Sequence, residues 1–282
     1  MHDERKKQDR ILITAGIVFL CIFCISGYLL LDYWLESREQ EKLSAQLAML
    51  QHGTRDEIVI VEAVPITPKE TQSAQEIEKE PVEKVPEKEV AQPEPTAEPE
   101  EEVTSLSELN PDYVAWIQMP DTPIDYPVVH RDNAYYLRRD FFGKKNRHGT
   151  IFLDVSCKEK DTFWLIHGHN MKDGTMFGCL KNLKDAKYRQ EHKEFSLIWE
   201  EEEKSFEIFA GALVDLYDEN RFRYELLPQV KETSQEYLKQ LKSAALWYED
   251  VVWEEGQRVV ILSTCDYGTE EQRFIVAAIE KR

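Results

Sequence analysis

The hydrophobic pattern divides the chain into three stretches. From Ile11 to Leu31 the run "ILITAGIVFLCIFCISGYLLL" contains no charge, and twenty-one residues at helical rise are enough to cross a hydrocarbon core. The following "YWLESREQEKLSAQLAMLQ" has a helix-forming composition and predicts a stalk continuing the same helix. From Glu62 to Glu102 apolar positions become sparse. Beyond about Thr104, short apolar runs rich in β-branched and aromatic residues alternate with turn residues: "IDYPVV", "GTIFLD", "TFWLIHGH", "FSLIWEEEEKSFEIFAGALVDL", "RVVILSTC" and "RFIVAAIE". That spacing predicts a mostly β domain rather than alternating βα units. A short helix around Ser105 to Glu108 and a turn at Asn110 and Pro111 open it. Three helical patches interrupt it: "NAYYLRRDFF", "TMFGCLKNLKDAKYRQEH" and "SQEYLKQLKSAALWYED". In the last, Tyr237, Leu238, Leu241, Ala245 and Tyr248 recur near the helical period, directly before the strand that carries Cys265.

Charge orients these stretches. Arg5, Lys6, Lys7 and Arg10 precede the apolar run and Asp32 and Glu36 follow it, so residues 1–10 are expected in the cytoplasm and the remainder outside. The run is too long for a cleaved signal peptide, and no small-x-small site follows it. Residues 11–31 are therefore expected to be a single-pass membrane anchor and 32–61 a juxtamembrane stalk. From Glu62 to Glu102 there are thirteen Glu, seven Pro and four Lys and no aromatic residue. Such a segment cannot bury enough apolar surface to offset its ordering entropy, so 62–103 is expected to be a disordered acidic spacer. Fully extended, it would reach on the order of 100 Å and tether the domain of residues 104–282 away from the membrane. The formal net charge of −19 argues against nucleic acid as a partner.

The candidate chemistry lies in the last hairpin. "RVVILSTC" and "RFIVAAIE" are joined by "DYGTEEQ", and a turn centred near Thr269 makes Cys265 and Arg273 cross-strand neighbours, with Cβ atoms about 4.5 to 5.5 Å apart. A bulge would shift that register. Arg258 lies on the strand of Cys265 but about 23 Å away at strand rise. A thiol beside a guanidinium favours the thiolate and hence nucleophilicity. The bland alternative is a buried cysteine next to an exposed arginine. Outside the anchor there are three cysteines, Cys157, Cys179 and Cys265; an odd number leaves at least one free thiol, and a Cys157–Cys179 pair is open. A nucleophilic thiol needs an imidazole to exchange protons with, and "WLIHGHNMKDG" ends an apolar strand in His167, Gly168 and His169. Either histidine fits that role, and the glycine between them permits close backbone approach. The two histidines also fit half of a metal site, but no third ligand stands at matching spacing, so neither metal nor cofactor is expected.

Together these features carry a resemblance. A signal anchor, an acidic spacer, "IHGHNM", and "LSTC" followed by an arginine before an apolar strand resemble a sortase. "LNPDYVAWIQMPDTPIDYPVV", "DNAYYLRRDF", "GTIFLD" and "GHNMKDGTMFGCLKNL" are similar to class B sortases in particular. The likeness spans essentially all of 104–282; Ile261 stands where the familiar T-L-x-T-C pattern has threonine. The resemblance implies a closed eight-stranded β-barrel with inserted helices and a cysteine transpeptidase of Gram-positive bacteria. Carried over, Cys265 is the nucleophile, His169 the general acid and base, and Arg273 the group that orients substrate and stabilises the oxyanion. The implied partners are secreted proteins bearing a C-terminal sorting signal, cleaved after threonine, and an amine acceptor from a peptidoglycan precursor or a pilin. A cysteine hydrolase using the same three residues, or a non-catalytic surface module, are the competing readings.

Overall fold

A computed structural model of the chain describes residues 2–53, 105–265 and 272–282. The acidic spacer expected at 62–103 lies outside the described residues, as does the end of the stalk. The described chain opens with one long helix, α1 (His2–His52), which contains the apolar run. Among the described residues it is the one helix long and apolar enough to cross a membrane.

The domain begins with α2 (Leu106–Leu109), capped as a box: the Ser105 hydroxyl accepts from the Glu108 N–H, and the Glu108 carboxylate accepts from the Ser105 N–H. Nine strands follow in chain order: β1 (Tyr113–Gln118), β2 (Asp125–Val129), β3 (Ile151–Leu153), β4 (Phe163–His167), β5 (Glu194–Trp199), β6 (Glu202–Asp215), β7 (Ala245–Tyr248), β8 (Val259–Cys265) and β9 (Gln272–Glu280). Eight of them close a ring in the order β5-β1-β2-β3-β4-β8-β9-β6, with β6 pairing back to β5. β2–β3 and β4–β8 are parallel and the other ring pairs antiparallel. The closed barrel that the resemblance implied is therefore present. β7 is a ninth strand lying along the far half of β6.

The central strands are buried on both faces, which explains why "VVIL" and "FIVAAI" read as continuous apolar runs rather than alternating ones: Val259 to Leu262 and Phe274 to Ile279 are all buried. Inside, a large apolar core fills the barrel. Outside β1, β2 and β3, a second cluster of Trp116, Val129, Tyr136, Phe141 and Phe152 is roofed by Leu106 and Leu109 of α2 and by Leu47 of α1.

Several expectations need correction. "VAWIQ", for which the sequence predicted no element beyond the preceding turn, is β1. "NAYYLRRDFF" contributes one 3₁₀ turn, Tyr135–Arg138, and "TMFGCLKNLKDAKYRQEH" breaks into a 3₁₀ segment, Gly178–Lys184, and a short helix α3 (Ala186–Glu191). The break falls at Asp185, whose side chain caps α3 by accepting from the Tyr188 N–H. The third helix, α4 (Lys231–Ala244), stops earlier than its period suggests. Ala245 and Tyr248 belong to β7, because Trp247 is paired with Gly211 of β6, where a Cβ would lie 2.6 Å from the indole. Tertiary pairing overrides the helical period there. Residues 32–52 continue α1, as their composition predicted, and also lie against the barrel, a packing the sequence did not announce.

Candidate active site

The hairpin of β8 and β9 is in register without a bulge, from Val259 opposite Ile279 to Cys265 opposite Arg273. The expected pairing of Cys265 with Arg273 is therefore met at the Cα level. Arg273 is half-buried and donates from Nη1 to the Gln272 carbonyl at 3.2 Å. Arg258 has a different setting: its guanidinium lies 4.2 Å from the Trp164 ring centre and 4.6 Å from that of Trp199.

β4 runs parallel to β8, with Phe163 beside Val259 and His167 beside Ser263. The Gly168 N–H then donates to the Ser263 carbonyl at 3.1 Å. His169 follows two residues after His167 in the loop that leaves this end of β4, the end beside which β8 reaches Cys265. His169 and Arg273 both line one cleft of about 340 Å³ at this end of the barrel, together with Ser263, Thr264 and Tyr224. The glycine between the histidines is needed there, since a Cβ on Gly168 would lie 2.6 Å from the Phe177 ring. Close backbone approach at this position is what the sequence suggested.

The two histidines have different partners. His167 donates from Nε2 to Asp154 Oδ2 at 2.9 Å, and its ring lies 5.0 Å from that of Phe152. Burial alone would raise the Asp154 carboxyl, but hydrogen bonds from His167 and from the Ser156 hydroxyl and N–H outweigh it, holding the acid well below the usual carboxylate range. Asn133 adds a 2.8 Å bond to the same oxygen as His167. His169 instead donates from Nε2 to the Leu137 carbonyl at 2.6 Å. A carbonyl only accepts, so the proton sits on Nε2 in this arrangement, and Nδ1 is the nitrogen left to take up or give a proton.

Sequence reasoning did not single out Asp154, Asn133, Tyr224 or Glu225, all of which line the cleft. The Tyr224 hydroxyl meets the Ser263 hydroxyl at 3.3 Å. Burial raises the Tyr224 phenol, partly countered by Ser263 and by the nearby Arg273 charge. Glu225, despite partial burial, is pulled down to about 2 by Arg221 and Arg223; Arg221 reaches both of its oxygens, at 2.6 and 2.9 Å. The available signal was the carboxylate ending "GTIFLD". The loop carrying Tyr224 and Glu225 offers no period to read.

Cys157 and Cys179 are free buried thiols, so the open question of a disulfide between them is answered in the negative. Burial raises both, Cys157 to about 12 and Cys179 to about 11, so neither is a thiolate at neutral pH. Among the described residues no cluster of three or more His, Cys, Asp or Glu is arranged to hold a metal.

Known proteins share this fold. Residues 117–281 match the Sortase domain family. Sortase B of Listeria monocytogenes is 34% identical over 171 residues, which cover 59% of this chain and 68% of that protein. Among solved structures, sortase B of Clostridium perfringens superposes with a TM-score of 0.57 at 31% identity, covering 63% of this chain and 98% of that one. A Streptococcus pyogenes class B sortase involved in pilus biogenesis gives a TM-score of 0.55 at 30% identity, covering 62% and 96%.

Proposed function

Because the chain belongs to the sortase family, as a class B cysteine transpeptidase acting on surface proteins, we propose that Cys265 is its nucleophile, His169 its general acid and base, and Arg273 its oxyanion and substrate clamp. The observation that carries the reading is the Cα pairing of Cys265 with Arg273 at the mouth of a cleft that His169 also lines. The electropositive neighbour favours a thiolate at Cys265. It attacks the carbonyl carbon after threonine in a sorting signal, and the guanidinium stabilises the oxygen that becomes negative. Collapse of that intermediate breaks the peptide bond. His169 gives its proton to the departing amine nitrogen and leaves a thioester. An incoming amine then attacks the thioester, His169 takes the proton from it, and the thiolate leaves. One amide is broken and one is formed, with no net consumption of water.

The signal is read on secreted proteins and the amine comes from a peptidoglycan precursor or a pilin. Residues 11–31 hold the enzyme in the cell membrane, with the N-terminus in the cytoplasm and the barrel outside. Support for this comes from the uncharged run in α1, its basic N-terminal flank and the family to which the chain belongs. The test is partition of the acyl group. The full chain in lipid nanodiscs is incubated with peptides from C-terminal sorting signals, each with threonine before the cleaved bond, with and without triglycine or hydroxylamine. Amine-dependent conversion of the thioester into the amide or hydroxamate is expected. Release of the free acid alone, at a rate indifferent to every amine including precursor and pilin-lysine mimics, would make the enzyme a hydrolase.

A further inference from the structure

The outer half of α1 touches the domain along a stripe of helical period. Asp32, Glu36 and Gln40 lead into Leu43 and Leu47, and then Gln51, so one face changes from charged to apolar as it leaves the membrane-length run. Leu47 is buried in the cluster with Trp116 and Tyr136, and Gln51 accepts a hydrogen bond from the Tyr113 hydroxyl at 3.1 Å. The charged end of the stripe reaches the two loops that hold His169.

The first, residues 146–150, braces the turn whose Leu137 carbonyl accepts the His169 hydrogen bond. Glu36 accepts from the Arg147 N–H at 2.7 Å and pairs with its guanidinium, while Asp32 accepts from Arg147 Nη2 at 2.8 Å. Gln40 accepts from the Asn146 side chain at 2.8 Å, and both groups are buried. Residues 146–150 in turn clamp the Tyr135–Arg138 turn: the Asn146 N–H donates to the Arg138 carbonyl and the Thr150 N–H to the Tyr136 carbonyl, each at 3.0 Å. Leu137, whose carbonyl His169 uses, lies between those two clamped residues. Gly149 packs so closely that a Cβ there would lie 2.8 Å from the Leu137 oxygen, and its φ of +62° suits glycine.

The second is the loop that carries His169. Asp173 accepts from the Tyr33 hydroxyl and from the Ser37 hydroxyl, each at 3.3 Å, on the oxygen that its own turn with Thr175 does not use. That turn is closed on His169 by the Phe177 N–H, which donates to the His169 carbonyl at 2.9 Å, and by the bridge of Asn170 with Met176. Helix α1 therefore bonds directly to the loop bearing the imidazole and, through residues 146–150, braces the turn whose Leu137 carbonyl accepts the imidazole's hydrogen bond.

From this convergence we infer that the membrane-proximal half of α1 is a positioning element of the catalytic centre. It fixes the His169 imidazole relative to Cys265 and Arg273. The inference rests on the assignment of His169 as acid and base. Since misplacement by about 1 Å at a reacting group costs on the order of 10²-fold in rate, loosening both loops is read in kcat rather than in KM.

The experiment uses the full chain in nanodiscs. Asp32→Asn, Tyr33→Phe, Glu36→Gln and Ser37→Ala are combined; all four lie on α1, and none lines the cleft. A second variant adds Leu47→Asp, which drives a charge into the apolar cluster and secures undocking. Hydrogen exchange over residues 33–52 and 135–150 reports docking. Activity is measured with the threonine peptide that gives acyl transfer, and the alkylation of Cys265 by iodoacetamide is followed against pH. Exchange should rise in both segments, kcat should fall by about 10- to 100-fold with KM within about twofold, and the midpoint of alkylation should move. Undocked α1 with kcat and the alkylation profile at wild-type values would reduce the helix to a structural cover and overturn the inference. His169→Ala is the control: if that variant keeps wild-type kcat and alkylation, the assignment of His169 has failed, whereas an inactive His169→Ala beside fully active α1 variants rejects the α1 inference alone.

Discussion

The cleft has two walls built in different ways. On one side Cys265 and Arg273 sit on adjacent strands of one hairpin, eight residues apart, and their pairing follows from local register. On the other, His169 follows the end of β4 in a loop, and its orientation depends on a carbonyl 32 residues away and, through that segment, on α1. The strand-borne wall is over-determined by backbone ladder bonds between buried strands. The loop-borne wall holds its geometry through side-chain bonds and one tight glycine contact. In the proposed roles, a nucleophile and clamp on paired strands facing an acid–base group on a loop would suit a reaction in which one imidazole must serve first a departing and then an arriving amine.

The two walls can be separated by substitution. The largest expected effect is on the loop wall: His169→Ala should lower kcat/KM by about 10² to 10⁴. His167→Ala, which removes a partner of Asp154, should retain most activity. Steady-state peptide cleavage decides between them, and the reverse pattern would move the acid–base role to His167. On the strand wall, Arg273→Lys keeps the charge but loses the planar set of donors, so a cost of about 3 to 4 kcal/mol in transition-state stabilisation is expected. Near-normal turnover would mean that only the charge matters there. Smaller still is Gly168→Ala, whose methyl meets the Phe177 ring. It should destabilise the fold by about 1 to 3 kcal/mol, read by chemical denaturation, and slow turnover with Arg273 and Cys265 untouched. The smallest concerns pH. Asp154 is held below its ordinary range in the folded state, so its contribution to stability is present above about pH 4 and is lost as pH falls toward its folded value. The Tm difference between the native chain and Asp154→Asn should be widest at neutral pH and close on acidification. A gap independent of pH would show that the carboxylate is not charged in its pair.

The same division explains what could be read from sequence. The β8–β9 pairing required only a turn centre and strand alternation, both local, and "RVVILSTC" and "RFIVAAIE" carry them openly. The apolar runs and their spacing also announced a β domain, though not its closure, because the ring depends on parallel pairings of β2 with β3 and β4 with β8 that no local pattern encodes. That parallel register is also what brings the end of β4 to the Cys265 end of β8, so the choice between His167 and His169 rested on resemblance to sortases alone. The end of α4 was misread because Ala245 and Tyr248 keep the helical period while their strand partners, Ala212 and Ala210, lie more than thirty residues earlier in the chain. The docking of α1 escaped for a related reason. Asp32, Glu36 and Gln40 look like any solvated helix face until Arg147 and Asn146 are brought against them.

The central claim is that the acyl group is carried by Cys265. The full chain is incubated with the threonine peptide in the absence of added amine, quenched in acid, digested, and examined by mass spectrometry for the acyl mass. The account expects the thioester on the fragment containing Cys265, absent from Cys265→Ala and discharged by hydroxylamine. Cys157 and Cys179, whose thiols burial pushes up to about 12 and about 11, should remain unmodified. Acyl mass on either of those two, or cleaved peptide formed by Cys265→Ala at the native rate, would contradict it.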